Sequence, residues 1–238
     1  SAGESAGCIG AKRMIETGCL TDAKWLLVSE PSSLQVLTAE TGALWLSVTA
    51  HGETGHASAG GGDSTISRLM DFLERLKAHK ISDAAHPLLG AASVAVNGLM
   101  AGSAPNVSPD RAQATLDIRT LPGQDSQQVI DQLLALAGDE FTIEVIDDKP
   151  PVETPVDDPF VATCLNAVIG ACGQAAAPGG VHYFSDSNVL VPALKIPRVI
   201  IGPGELGMSG SQDEWVALDA VADAAAIYAK IASEVLAG

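Results

Sequence analysis

The sequence predicts a mixed α/β chain. A small ferredoxin-like unit of order β-α-β-β-α-β, residues 43–147, is inserted into a larger α/β part built from residues 1–42 and 148–238. Three observations predict it. Apolar residues alternate with polar ones from Leu44 to Ala50. They recur at helical spacing over 64–80 and 125–137. Short unbroken apolar runs at Trp25–Val28 and Arg198–Ile201 each end in a turn rich in Ser, Pro or Gly.

Taken in order, residues 1–10 are glycine-rich and run into a helical pattern at Ala11, Met14 and Ile15. Trp25–Val28 reads as a buried strand that stops at Ser29-Glu30-Pro31-Ser32-Ser33. Gln35 to Glu40 reads as a lead-in to Gly42. Leu44, Leu46, Val48 and Ala50 against Trp45, Ser47 and Thr49 give a strand of period two. A glycine-rich loop follows from Gly52 to Gly62, then an amphipathic helix carried by Ile66, Leu69, Met70, Leu73 and Leu76. Residues 93–96 and 113–119 are strands, 125–137 a helix and 141–145 a strand. Lys149-Pro150-Pro151 marks the return to the larger part. That part continues with a helix at 158–173, the strand at 198–201 and an alanine-rich helix at 217–236.

Composition narrows the function. The chain has 238 residues, 47% of them hydrophobic, enough for a sizeable core. Acidic residues number 29 and basic ones 13, a formal charge of −16. Nucleic acid and anionic membrane both need a basic surface, so neither is an expected partner. No apolar run approaches the ~18 residues of a membrane span. The four cysteines (Cys8, Cys19, Cys164, Cys172) show no C-x-x-C spacing and read as small core hydrophobes of a reducing, cytoplasmic compartment.

One short motif carries chemistry. Gly3-Glu4-Ser5-Ala6-Gly7 fits G-x-S-x-G, the turn that presents a nucleophilic serine. It feeds a helix N-terminus, where free N–H groups and the helix dipole favour a developing oxyanion. A serine needs a base within hydrogen-bond reach. His56 and His182 are the candidates, with Asp186 or Glu30 to orient the ring. Glu4, adjacent in sequence, points elsewhere, toward a water. Arg119 is placed either to bind a substrate carboxylate or to pair with Asp117 or Asp110. Asn106 either donates to an oxyanion or caps the turn at Pro109.

These residues, in this order, resemble the di-zinc amidohydrolases and exopeptidases that include acetylornithine deacetylase, succinyl-diaminopimelate desuccinylase, aminoacylase and carboxypeptidase G. The likeness covers the whole chain but corresponds to the later two-thirds of such a protein. Ser1 to Gly10 resembles the family's acidic turn, and Ser29-Glu30-Pro31-Ser32 its second metal-carboxylate turn. Gly52–Ser58 with Gly62–Ile66 resembles the lid loop that carries a histidine. Asn106–Asp110 and Leu116–Arg119 resemble its lid segment for substrate carboxylates. Ser185-Asp186 and Ile201-Gly202-Pro203-Gly204 resemble the loops around the pocket, which adds Ser185 and Gly204 to the substrate-binding candidates. The resemblance implies an α/β zinc-exopeptidase-like catalytic part with an inserted lid and dimerisation domain. It also implies a homodimer in which His56 reaches the partner's site.

The chain departs from that family at its metal donors. The general-base glutamate matches Glu4, but the next ligand falls on Ser5 and the last histidine ligand on Gly210. The upstream ligands have no counterpart, so Glu30 is the one family ligand left. A zinc site needs three or four donors. No metal cofactor is therefore expected from this chain alone; zinc is expected only where another segment completes the site. Hydrolysis of small acyl esters or amides through Ser5 is the reading these residues favour. The alternatives are a zinc-dependent deacylase or peptidase completed elsewhere, and a dimerising module without catalysis.

Overall fold

The computed structural model describes residues 3, 4, 7–59, 64–173 and 175–237. In chain order the elements are α1 (Ile9–Glu16), β1 (Leu26–Val28), β2 (Val36–Glu40), β3 (Ala43–His51), β4 (Gly55–His56), a 3-10 turn (Ala57–Ala59) and α2 (Thr65–Ala78). Then come β5 (Ser93–Ala101), β6 (Val107–Ser108), β7 (Arg111–Arg119), α3 (Ser126–Ala137), β8 (Phe141–Lys149) and β9 (Val152–Glu153). The chain closes with α4 (Pro159–Cys172), β10 (Pro178–Val181), α5 (Ser187–Leu194), β11 (Arg198–Ile200) and α6 (Leu218–Leu236). They form two compact units. One runs to Thr41 and resumes at Pro151; the other is Gly42–Pro150.

The Gly42–Pro150 unit is a four-stranded antiparallel sheet of order β5-β7-β3-β8. Side chains of period two give it one apolar face. Leu44, Leu46, Val48 and Ala50 of β3 and Ala112, Ala114, Leu116 and Ile118 of β7 are buried against Leu69, Phe72 and Leu76 of α2 and Val129, Ile130 and Leu133 of α3. Phe72 stacks on Phe141 with ring centroids 5.4 Å apart. Both helices start on a side-chain cap. Ser64 Oγ accepts from the Ile66 N–H, and the Asp125 carboxylate accepts from Gln127 and Gln128. The helical and strand patterns of the sequence appear as expected, with two differences. The strands at 93–96 and 141–145 run on to Ala101 and Lys149, and the glycine-rich loop forms a small two-stranded ladder, β4 with β6.

The other unit holds a mixed sheet of order β1-β11-β2-β10, with β9 on β2. β1 and β11, the two apolar runs of the sequence, pair in parallel. Among the described residues β1 and β10 end the strand path. The sequence reading missed β2, whose five residues, Thr38 and Glu40 included, are all buried. A strand covered on both faces has no alternation to read. It also missed β9, β10 and α5. α4 and α6 pack on Val36, Val199 and Ile201, and α1 packs on α5 through Cys8, Ala11 and Leu190. The cysteines are free and only partly core: Cys8 and Cys164 are buried, but Cys19 is exposed, with its Sγ 3.4 Å from the Met14 carbonyl. Among the described residues no helix is long and apolar enough to cross a membrane.

Candidate functional site

In the α/β unit the loops after β1 and β11 lie against each other. Loops at the carboxyl ends of parallel strands are where α/β folds place ligand groups. The Ile201 N–H donates to the Val28 carbonyl (2.9 Å), and Leu34 N–H to the Gly202 carbonyl (2.9 Å). Ser32 Oγ accepts from the Gly202 N–H at 2.9 Å. The approach is close enough to demand glycine: a Cβ on Gly202 would lie 2.2 Å from the Glu30 carbonyl oxygen. The turn itself is strained, since Ser33 and Leu34 both sit at positive φ (53° and 58°). Glu30 is thus pinned at the mouth of this pair of loops.

A third segment meets it. Glu30's carboxyl is raised above its ordinary value, first by burial and then by the negative charge of Asp186. Asp186 precedes α5 in a turn held from beneath. Ser185 Oγ and Ser187 Oγ lie 2.6 Å apart, and Ser187 Oγ donates to Glu40 Oε2 at 2.5 Å. The Asn188 side-chain oxygen accepts from the Ser185 N–H (2.9 Å), and its amide nitrogen donates to the Thr41 carbonyl. Glu40 in turn accepts from Arg198 Nη2 at 2.7 Å, and both side chains are fully buried. Tyr183 donates to the Pro31 carbonyl at 2.8 Å. Its phenol is pushed well up by burial, then by Glu40, Glu30 and, more weakly, Glu4.

Glu30 thus feels the charge of Asp186, and Tyr183 the charges of Glu40, Glu30 and Glu4; Ser185 is buried and Gly204 lies on the neighbouring loop, its carbonyl accepting from Ser33 N–H at 2.7 Å. Tyr183, Glu40 and Arg198 escaped the sequence reading, because a lone tyrosine and two separated charges follow no period or motif. His182 is exposed; its carbonyl accepts from Thr41 Oγ1 at 2.8 Å.

Ser5 lies outside the described residues, but its surroundings bear on it. The Gly7 and Cys8 N–H groups both donate to the Glu4 carbonyl (3.2 and 2.9 Å), and Ile9 N–H to the Gly3 carbonyl (3.3 Å). These bonds engage the Gly7, Cys8 and Ile9 N–H groups at the start of α1. Cys8, the residue before α1, gives no side-chain cap.

In the other unit the structure brings His56 and Asn106 together, with Asn106 Nδ2 3.3 Å from His56 Nε2. Arg119 pairs with Asp117 at 2.9 Å, one of the two partners the sequence offered.

Whether zinc fits can be judged from the donors. Glu30 and Asp186 are two carboxylates that repel each other. Among the described residues no group of three or more His, Cys, Asp or Glu is placed to hold an ion. The described donor set falls short of the three or four that zinc requires, so it does not fit the metal by itself.

Comparison with known proteins places this architecture. Residues 38–143 match the peptidase dimerisation domain of the M20 family. Acetylornithine deacetylase of Myxococcus xanthus is 27% identical over 97% of this chain and 62% of its own length. A probable succinyl-diaminopimelate desuccinylase of Staphylococcus epidermidis is 22% identical over 91% of this chain and 62% of its own. The M20 family metallo-carboxypeptidase of Sulfolobus solfataricus superposes with a TM-score of 0.76 at 17% identity, covering 97% of this chain and 68% of that one. The chain spans about 62% of the length of these curated relatives. Residues 38–143 are therefore a peptidase dimerisation domain, carried by a chain homologous to acetylornithine deacetylases, succinyl-diaminopimelate desuccinylases and carboxypeptidases and folded like the M20 metallopeptidases.

Proposed function

We propose that this chain is the carboxylate-bearing and lid-bearing part of a dimeric amide hydrolase that acts on small N-acylated amino acids or short peptides. One observation carries the reading: Glu30, half-buried on a turn pinned against Gly202, has its carboxyl raised by burial and by the negative charge of Asp186, itself half-buried at the start of α5. A fold keeps such a costly pair where it serves chemistry. Deacetylase, desuccinylase and carboxypeptidase describe the relatives, and release of an amine from an acyl group is what those names share. The ester-hydrolysis reading through Ser5 lacks this support. No relative named above is an esterase.

In this reading Glu30 and Asp186 face the reacting acyl group. Zinc would require further donors from another polypeptide or another stretch of a longer chain, so no step is routed through a metal. The test is amine release from N-acetyl and N-succinyl amino acids and from dipeptides, by the purified chain with and without added zinc. Expected is cleavage of at least one amide class, reduced more than ~100-fold in Glu30→Gln. Hydrolysis of p-nitrophenyl esters alone, unaffected by Glu30→Gln, would overturn the reading.

The dimer face we infer is the free edge of the lid sheet. β5 is an edge strand and exposes Val96, Leu99 and Met100, while Met70 of α2 is 61% exposed beside it. Between them runs an apolar groove of about 650 Å3 lined by Leu73, Leu76, Val94 and Leu99. An unpaired apolar edge is a template for a second strand, and a two-fold axis there joins β5 to the partner's β5. Leu99→Arg is expected to give a folded monomer by light scattering. An unchanged dimer mass in that variant would move the interface elsewhere.

A further inference from the structure

His56 sits where β4 pairs with β6, opposite Val107, and the Ala57 N–H donates to the Asn106 carbonyl at 3.0 Å. The two lid strands are therefore locked in register around the imidazole. Each ring nitrogen has a neighbour. Nε2 faces the Asn106 amide at 3.3 Å. Nδ1 faces Ser58 twice, with the Ser58 backbone N–H donating to it at 3.2 Å and Ser58 Oγ 2.8 Å away.

The backbone contact decides the proton. A peptide N–H points where the planar amide aims it and has no rotor to turn away. Nδ1 therefore offers its lone pair, and a neutral ring must then carry its one hydrogen on Nε2. The Ser58 hydroxyl donates to the same lone pair. Nε2–H then needs an acceptor. Asn106 supplies one only with its amide turned so that Oδ1, not Nδ2, faces the ring, and the two ends of an amide are alike in shape.

We propose that Ser58 is a positioning residue that fixes His56 as its Nε2–H tautomer, so that the lid presents a hydrogen-bond donor with Asn106 Oδ1 as its resting partner. His56 so held has no lone pair at Nε2 and does not serve as the base for a serine. What the donor is used for rests on the amide-hydrolase reading; its existence does not.

The test is the two-bond 1H–15N correlation of the histidine rings in the 15N-labelled full chain at pH 8, with His56 assigned by His56→Gln. Expected is a single tautomer, with the shift of an unprotonated nitrogen at Nδ1 and of a protonated one at Nε2. Ser58→Pro, which removes both donors, should move the pair toward the averaged shifts of a free imidazole, while Ser58→Thr should leave them in place. Backbone amide peaks of His51 and Arg111 report that the sheet is intact. A proton on Nδ1 in the wild type, or averaged shifts there equal to those of Ser58→Pro, would overturn the proposal. Failure of the amine-release assay would leave these spectra unchanged, so the two readings fail separately.

Discussion

The two units solve the same packing problem in opposite ways. The lid unit buries one face of an antiparallel sheet under two helices and keeps every second side chain of β3 and β7 on the other face. The α/β unit buries β2 completely, and so takes Glu40 and Arg198 out of water along with the aliphatic residues. In the lid, apolar area dominates the core, and the buried charge of Lys149 is met at the end of β8 by Asp147. In the α/β unit, a buried polar network runs through the core and ends on the turn that carries Asp186. Stability and function are separable in the first and share residues in the second.

The largest expected effect tests that sharing. Arg198→Met leaves Glu40 buried without its cation and should cost about 4 kcal/mol in urea unfolding. Replacing both partners, Glu40→Met with Arg198→Leu, should recover most of that loss, because two apolar groups leave no uncompensated charge. A single variant as stable as wild type would show that the network is not part of the core's support.

Next is the lid's own core. Phe72→Ala empties a fully buried site against Phe141 and should cost about 3 kcal/mol. The hydrophobic clusters of the two units are distinct, so calorimetry should show one transition lowered and the other left in place. A single transition that shifts as a whole would join the two cores energetically.

The smallest effect lies at the site. Glu30's raised carboxyl means that the unfolded chain releases this proton first as pH climbs above about 4.5. Folding stability is therefore lost with rising pH from there through Glu30's folded value. Asp186→Asn removes the charge that contributes to the shift. It should raise Tm by about 2 °C at pH 7 and leave it unchanged at pH 3, where Glu30 carries its proton in both states. A variant destabilised at pH 7 would show that Asp186 supports the fold rather than straining it.

Much of this was legible in the chain. The alternation at Leu44–Ala50, the helical spacing of Leu69, Leu73 and Leu76, and the apolar runs ending at Glu30 and Gly202 locate the lid and the two loops that meet at Glu30. They are legible because a half-exposed strand and an amphipathic helix each record, residue by residue, which side meets water. β2 was not legible, because neither of its faces meets water. α5 was passed over as a loop beginning at Ser185-Asp186, since its Pro192 breaks the pattern of a helix.

The sequence by itself determined the lid, the turns that hold Glu30 and Gly202, the acidity of the surface and the pairing options of Arg119, because each rests on neighbours in the chain. Only the tertiary structure decided that the charge of Asp186 reaches Glu30, that Glu40 meets Arg198 across 158 positions, and that His56 is held between Ser58 and Asn106. A charge takes its chemical character from what burial and its neighbours in space do to it, and separation along the chain carries no record of either.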